Sequence, residues 1–391
     1  MTEREICEIR RDFPALDTFV WFQNGGVSIT PRPVADRHAE LMAELRDRGP
    51  MHIAYPEEEY PRRVEAVERI SRFFGATPRR VAMMRGVSEA FQTVIRGIEW
   101  STGDQILITD EEEAAIYLAA LHLRDRHGVE VVTVPVGLPS DQQSAAFASA
   151  MTDRTRLVAF SHVTTDIGAR LPAREICWDA REKGILSFVD CAHSGGLWPI
   201  DLMAMGCDFA GVLSYKWMYA PYASGLLFVR DPDAEQIQVT YAGGRSESKL
   251  NWHTHEFAFK DGAERFQFGP WSWPLIHAWS TSLDYLENIG IERIWERTRT
   301  LTSQLKSGLS EIHSVSLDTP AISEESAALV SFGFQGRTPE ELRDRLRGKH
   351  NIVIKAVYAT RKGMRASIPF FLLEKEIDFL LDKLSVELST P

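Results

Sequence analysis

Cysteine is scarce: Cys7, Cys177, Cys191 and Cys207 are the only four in 391 residues, and none forms a CxxC pair. That excludes a disulfide framework, and the four read as reduced, mostly buried thiols. No apolar run approaches the ~20 residues a membrane-spanning helix needs. A basic block is missing too. With 44 Lys and Arg against 55 Asp and Glu, the net charge is −11, which argues against nucleic acid or an anionic membrane as partner and leaves a small molecule. Neither GxGxxG nor GxxxxGK[ST] occurs, so nicotinamide and P-loop chemistry lack their phosphate loops. Residues 1–11 interleave both charge signs where a signal peptide places an apolar stretch, and the expectation is a cytoplasmic protein.

What is present is globular: 44% hydrophobic and 25% charged residues in a length that allows about two domains. Short apolar runs alternate with helix-period segments over the first two thirds, the mark of an α/β domain with a largely parallel sheet. The strand candidates begin at Gln105, Val129, Arg156, Ile185, Phe209 and Gly225. A helix is expected over Arg62–Phe74, with Val64, Val67, Ile70, Phe73 and Phe74 on its apolar face. From Gly290 the texture changes. Two long amphipathic helices, through Ile291–Ile312 and Ile377–Leu388, flank strand candidates at Ala328–Phe334 and Asn351–Val357, which reads as a smaller α+β domain. Residues 1–30 are taken as an N-terminal segment reaching the active site, 31–285 as the large domain and 286–391 as the small one. The stretch Tyr241–Pro274 shows no periodicity and is too long for an ordinary connection, which favours a functional role.

Open α/β sheets bind ligands beyond the carboxyl ends of their strands. The run ending at Val189 is followed by Asp190, and the run Phe209–Leu213 by Ser214-Tyr215-Lys216. Singly, Asp190 reads as a helix cap and Lys216 as a solvated side chain. Together they match pyridoxal phosphate, which needs a lysine to bond its aldehyde and a carboxylate to keep its ring nitrogen protonated. Arg85-Gly86-Val87-Ser88 precedes an apolar helix face of Phe91, Val94, Ile95 and Ile98. This puts Ser88 at an N-cap whose free amides suit a phosphate.

The chain resembles the class V aminotransferase family of fold-type I pyridoxal-phosphate enzymes. The blocks that carry the resemblance run in family order: Asn24-Gly25-Gly26, Arg85–Ala90, Ser161–Thr165 with Gly168, Asp190–His193, Ser214–Trp217 and Arg365-Ala366-Ser367. The resemblance implies a large domain with a mostly parallel sheet of the seven-stranded type plus the small domain, and a homodimer. It implies Lys216 as the covalent anchor, Asp190 at the ring nitrogen, and Gly86, Val87 and Ser88 at the phosphate. Thr165 and His193 fall beside the ring. Tyr215, with Asp-x-Ala-His-Ser and Ser-Tyr-Lys as in kynureninases, would reach the phosphate. Asn24 and Arg365 would meet the substrate, Arg365 at its carboxylate.

Three departures stand out. Where the family stacks an aromatic residue on the ring, this chain has Asp110-Glu111-Glu112-Glu113; either Glu113 lies over the ring or another residue covers it. Pro270 replaces a phosphate-binding Thr that relatives donate across the dimer, and Leu213 a phosphate-binding Ser. No metal is expected, although His253 and His255 lie close together. Trp217, Tyr219, Tyr222, Trp271 and Trp273 either wall a pocket for a bulky substrate or pack the core. All four cysteines precede residue 208, whereas desulfurases of the family take sulfur on a cysteine just upstream of the Arg-x-Ser block. Persulfide chemistry is therefore not expected. The overall look is nearest the isopenicillin N epimerase and C–S lyase branch, with its ergothioneine-type and lincosamide-type members. The resemblance thus implies β-elimination of a sulfur-conjugated amino acid in secondary metabolism, giving a thiol or sulfenate, pyruvate and ammonia. Epimerisation, transamination and oxygen-dependent decarboxylation–deamination are the alternatives on the same fold. A non-catalytic scaffold is disfavoured because Lys216, Asp190 and the phosphate loop are all present.

Overall fold

Strand β1, Val20–Trp21, precedes seven strands that form the large sheet: β2 Val81–Met84, β3 Gln105–Thr109, β4 Glu130–Val134, β5 Thr155–Ser161, β6 Leu186–Asp190, β7 Phe209–Leu213 and β8 Gly225–Val229. The computed structural model describes residues 1–357 and 361–389. The sheet order is β2-β8-β7-β6-β5-β3-β4. Strand β8 runs antiparallel to both neighbours, and the other pairings are parallel. The carboxyl ends of the remaining six strands therefore open on one edge, where the residues following β2, β3, β5, β6 and β7 converge. This is the mainly parallel α/β sheet of fold-type I.

Strands β2, β3, β7 and β8 are buried at every position, because helices cover both faces. Alternation assigns the side chains. Leu107 and Val189 join the core on one face, and Ile106, Ile108 and Phe188 the core on the other. Each fully buried side chain of this kind contributes about 1.5–3 kcal/mol.

A second sheet is antiparallel. Its strands are β11 Val315–Leu317, β12 Leu329–Phe334, β14 Lys355–Val357 and β15 Gly363–Ser367, in the order β11-β12-β15-β14. The helices Ile291–Glu311 and Glu374–Ser389 pack on it through Leu301, Leu305, Leu309, Ile377, Leu380 and Leu384. The strand expected over Asn351–Val357 is split at Ile354. Its first part, β13 Ile352–Val353, pairs in parallel with β1 instead.

Several sequence expectations need correction. The helix expected at Arg62 starts at Pro56, and its Val64 is 56% exposed rather than part of the buried face. The helix Trp273–Ile289 runs through the 285/286 boundary, and the chain turns at Gly290. The aperiodic stretch Tyr241–Pro274 contains a hairpin, β9 Glu247–Asn251 with β10 Glu256–Phe259. Its side chains are mostly exposed, which is why no buried stripe marked it. His253 and His255 sit in its exposed turn, and among the described residues no group of three metal-ligating side chains occurs.

Candidate active site

Beyond the open edge of the large sheet lies a cavity of about 700 Å³, lined by Gly25, Gly26, the loop Arg85–Glu89, Glu113, Asp190, Leu213, Tyr215, Lys216 and Lys355 among others. Asp190 ends β6, in register with Ser161 of β5 and Gly211 of β7. Lys216 follows β7 in a turn pinned by Ser214, whose hydroxyl bonds the Pro221 carbonyl at 2.7 Å and the Ser224 hydroxyl at 2.6 Å. The N-terminal segment holds the other side of that turn. Asn24 Nδ2 donates to the Lys216 carbonyl at 3.1 Å, and Ser28 donates to the Tyr215 carbonyl from both its amide and its hydroxyl.

Lys216 Nζ lies 3.2 Å from His193 Nε2. Both are buried. Burial pushes the lysine down to about 8 against the opposing pull of Glu113 and Asp190. Burial, reinforced by Lys216 and Arg365, holds His193 well below the ordinary imidazole range. His193 is thus a neutral ring that can accept from the lysine, while its buried Nδ1 meets no partner among the described residues. Asp190 Oδ1 accepts the Ala192 amide at 2.7 Å, and burial raises the carboxyl to about 6. A carboxylate so desolvated is stabilised by a cationic N–H placed against it.

The phosphate-loop helix begins two residues earlier than expected. Gly86 is its N-cap and Ser88 the second helical residue of Val87–Gly97. Gly86 has φ +152°, a conformation that disfavours side chains, and Gly225 lets it press against β8: a Cβ at Gly225 would stand 2.8 Å from Gly86 Cα and 2.3 Å from the Val212 carbonyl. The amides of Val87, Ser88 and Glu89 belong to the first turn, which has no internal acceptors. They point the positive end of the helix dipole at the cavity.

Arg365, in β15, is 1% exposed. Its Nη1 bonds the Thr165 carbonyl and, at 3.2 Å, the Thr165 hydroxyl. Its buried Nε has no hydrogen-bond partner among the described residues. Burial lowers the guanidinium to about 10. Glu113 caps the helix Ala114–His127, accepting the Ala114 amide at 3.0 Å. Burial raises its carboxyl, but Lys216, Lys355 and Arg365 outweigh that and leave it below the usual range.

The five-residue aromatic cluster does not wall this cavity. Trp217 and Tyr219 are core residues, and Trp271 and Trp273 line a separate groove with Tyr60 and Val64. Tyr222 is exposed and stacks on Tyr215 with ring centroids 4.7 Å apart. Tyr241 and Phe268 supply the aromatic wall instead, stacked on each other at 5.3 Å. Pro270 is not among the lining residues.

Two groups were missed in the sequence. Lys355 lines the cavity, and its signal was a lone charge in the apolar run Ile352–Val357. Glu112 is half-buried with its carboxyl enclosed against β5, accepting from the Ser161 amide at 3.1 Å, the Ser161 hydroxyl at 2.7 Å and the Thr109 hydroxyl at 2.6 Å. Burial, above all, raises it to about 7. Nothing in a run of three glutamates marked the middle one as the carboxyl enclosed against β5.

Residues 20–380 match the family profile of aminotransferase class-V. The chain belongs to the class V aminotransferases. It is 32% identical to isopenicillin N epimerase of Streptomyces clavuligerus over 82% of this chain and 83% of that one. To a probable cysteine desulfurase of Methanothermobacter thermautotrophicus it is 25% identical, over 95% and 96% of the two chains. The fold superposes on an apo cysteine desulfurase from Thermococcus onnurineus NA1 with TM-score 0.89 at 21% identity, covering 100% of this chain and 99% of that one. Class V aminotransferases use pyridoxal phosphate. The residues of this cavity fit that group: a loop that turns at Gly86 and presents first-turn amides, a buried carboxylate near pKa 6, and a lysine depressed to about 8. The chain is a pyridoxal-phosphate enzyme of this class acting on amino acids.

Proposed function

We propose that this protein is a C–S lyase that converts a sulfur-conjugated L-cysteine and water to a thiol, pyruvate and ammonia. When bound, pyridoxal phosphate supplies the electron sink that makes the α-proton of an amino acid acidic. Gly86, Val87, Ser88 and Tyr215 hold its phosphate, Asp190 its ring nitrogen, and Thr165 and His193 flank it. Asn24 and Arg365 position the substrate, the carboxylate taking the unpaired Nε of Arg365 in a charge-assisted bond. Lys216 Nζ removes the α-proton, and neutral His193 at 3.2 Å steadies the amine between its charged and free forms. The thiol, or the sulfenate from a sulfoxide, departs with its distal group.

One observation carries this reading over desulfuration: none of the four cysteines lines the cavity. Cys191, the nearest in sequence, packs in the core on the far side of its strand end from Ala192, so no thiol receives sulfur. A second reading, epimerisation at the same α-carbon, is favoured by the 32% identity to an isopenicillin N epimerase. Feeding S-ethyl-L-cysteine to the holoenzyme in D2O separates the two. Ethanethiol, pyruvate and ammonia in equal amounts support the lyase; recovered substrate deuterated and racemised at Cα, without thiol, replaces it with the epimerase. The working unit in this proposal is a homodimer, whose interface includes the exposed Leu250, Trp252 and Phe257 of the hairpin. Sedimentation equilibrium tests it, and a fully active monomer would refute it.

A further inference from the structure

A second cleft, of about 750 Å³, lies apart from the active cavity and shares no lining residue with it. That volume falls among small-molecule sites, which run from about 300 to 1,000 Å³. Two side chains from the base of one loop meet there. Ser161 ends β5 and turns its hydroxyl to Glu112, so the next residue, His162, faces the other way. Val163 and Arg170 then pair in an antiparallel bridge, and the Leu171 amide donates to the His162 carbonyl at 3.0 Å. His162 and Arg170 are thereby brought to the same cleft.

His162 is 6% exposed. Ser194 Oγ stands 3.1 Å from its Nδ1 and 3.5 Å from the Cys191 carbonyl, so the ring takes the hydroxyl proton. Burial, reinforced by Arg170, holds the imidazole down to about 3 and keeps it neutral. Its own hydrogen is then on Nε2, which has no hydrogen-bond partner among the described residues and is a donor at the cleft. Arg170 is half-buried, with its guanidinium 4.9 Å over the Trp198 ring. It makes no ion pair and no side-chain hydrogen bond among the described residues, and burial lowers it with no carboxylate to offset the loss. Trp198 is held in turn by Trp295, 5.0 Å away. The helix Ala173–Glu182 starts at the same place without a side-chain cap, which adds first-turn amides to the two unmatched donors.

We propose that this cleft is a second ligand site, which takes a small organic molecule with one carboxylate and an apolar body. The carboxylate lies on the guanidinium fork of Arg170 and the Nε2–H of His162. The apolar body lies against Leu171, Ile200 and Met205. Asp141, Glu175, Asp201 and Glu324 also line the cleft. Their repulsion disfavours a ligand with two or more negative charges, such as a phosphate dianion, and leaves a single carboxylate as the group that fits.

The test is isothermal titration calorimetry of the holoenzyme with hydrocinnamate and its neutral counterpart, hydrocinnamyl alcohol. Wild type should bind the acid at least about tenfold more tightly, as a charge-assisted contact requires. Arg170→Gln should erase that preference with alcohol affinity kept, which also shows that the cleft is folded. Arg365→Gln should leave the preference in place. Ser144→Trp, which fills the cleft from its edge, should abolish binding of both probes with cofactor content unchanged, and it decides the matter if Arg170→Gln does not fold. Equal affinities in wild type, or a preference that survives in Arg170→Gln, would overturn the site. So would binding that survives in Ser144→Trp, or a preference lost only in Arg365→Gln, since the probe would then occupy the active cavity. Inorganic phosphate should not displace hydrocinnamate; displacement would overturn the assignment to a carboxylate.

Discussion

Lys216 Nζ and His193 Nε2 stand 3.2 Å apart in a buried pocket where the imidazole is neutral and the amine is lowered to about 8. An amine attacks the cofactor aldehyde only in its free form. Reconstitution of the apoprotein should therefore quicken as pH rises through about 8 and level off above it. Stopped-flow absorbance checks this, and an inflection near the ordinary lysine value of 10.5 would disprove it. The shift has a stability consequence of defined sign. Between pH 8 and 10.5 the unfolded chain binds more protons than the folded one, so this group makes the apoprotein more stable as pH rises through that window.

Asp190→Asn should keep the cofactor and lose most turnover. The neutral amide fills the same space but no longer favours a protonated ring nitrogen. Turnover near wild type, with cofactor content confirmed by absorbance, would place the ring nitrogen against another group.

Cys191→Ser should leave turnover largely intact. The thiol is fully buried and burial raises it well above the ordinary range, so it is a poor nucleophile. A hydroxyl in that core costs about 1–3 kcal/mol of stability if it finds no acceptor. Mass spectrometry of the protein during turnover should show no persulfide at this position, and finding one, with activity lost in the variant, would reverse the proposed chemistry.

Glu112→Gln tests a group that is structural rather than reactive. Its carboxyl is raised from 4.5 to about 7, chiefly by burial. The folded state therefore holds a proton that the unfolded chain has released, and the stability it contributes is present below pH 4.5 and lost as pH rises through 7. The amide should flatten that decline in melting temperature between pH 5 and 8. An unchanged slope would assign the pH dependence elsewhere.

The alternation of apolar runs and helix-period segments was legible because the large sheet is covered on both faces, so its strands carry uninterrupted apolar residues. Asp190 and Lys216 were legible because strand ends announce themselves in such a sheet. Lys355 and Arg365 could not be paired from sequence. Their register depends on a hairpin whose partner strands lie in a different sheet from the residues beside them, β13 having left to join β1. The aromatic cluster misled for a related reason: Trp217 and Tyr219 flank the lysine in sequence, but the turn directs them into the core. Tyr241 and Phe268, distant in sequence, come to the cavity through a loop that has no period to read.

The pairing of β1 with β13 has a consequence for the order in which the enzyme is assembled. Val20 and Trp21 emerge early in synthesis, yet the residues they lie beside in the parallel pair, Ile352 and Val353, are made almost last. Until then the segment that carries Asn24 and Ser28 lacks its strand partner, and the lysine turn lacks two of its clamps. Contacts of such long sequence separation form late and slowly. A nascent chain ending before residue 352 should accordingly fold its large sheet without being able to retain the cofactor, and competence should arrive as a single late event when the carboxyl-terminal strands close over the amino-terminal ones.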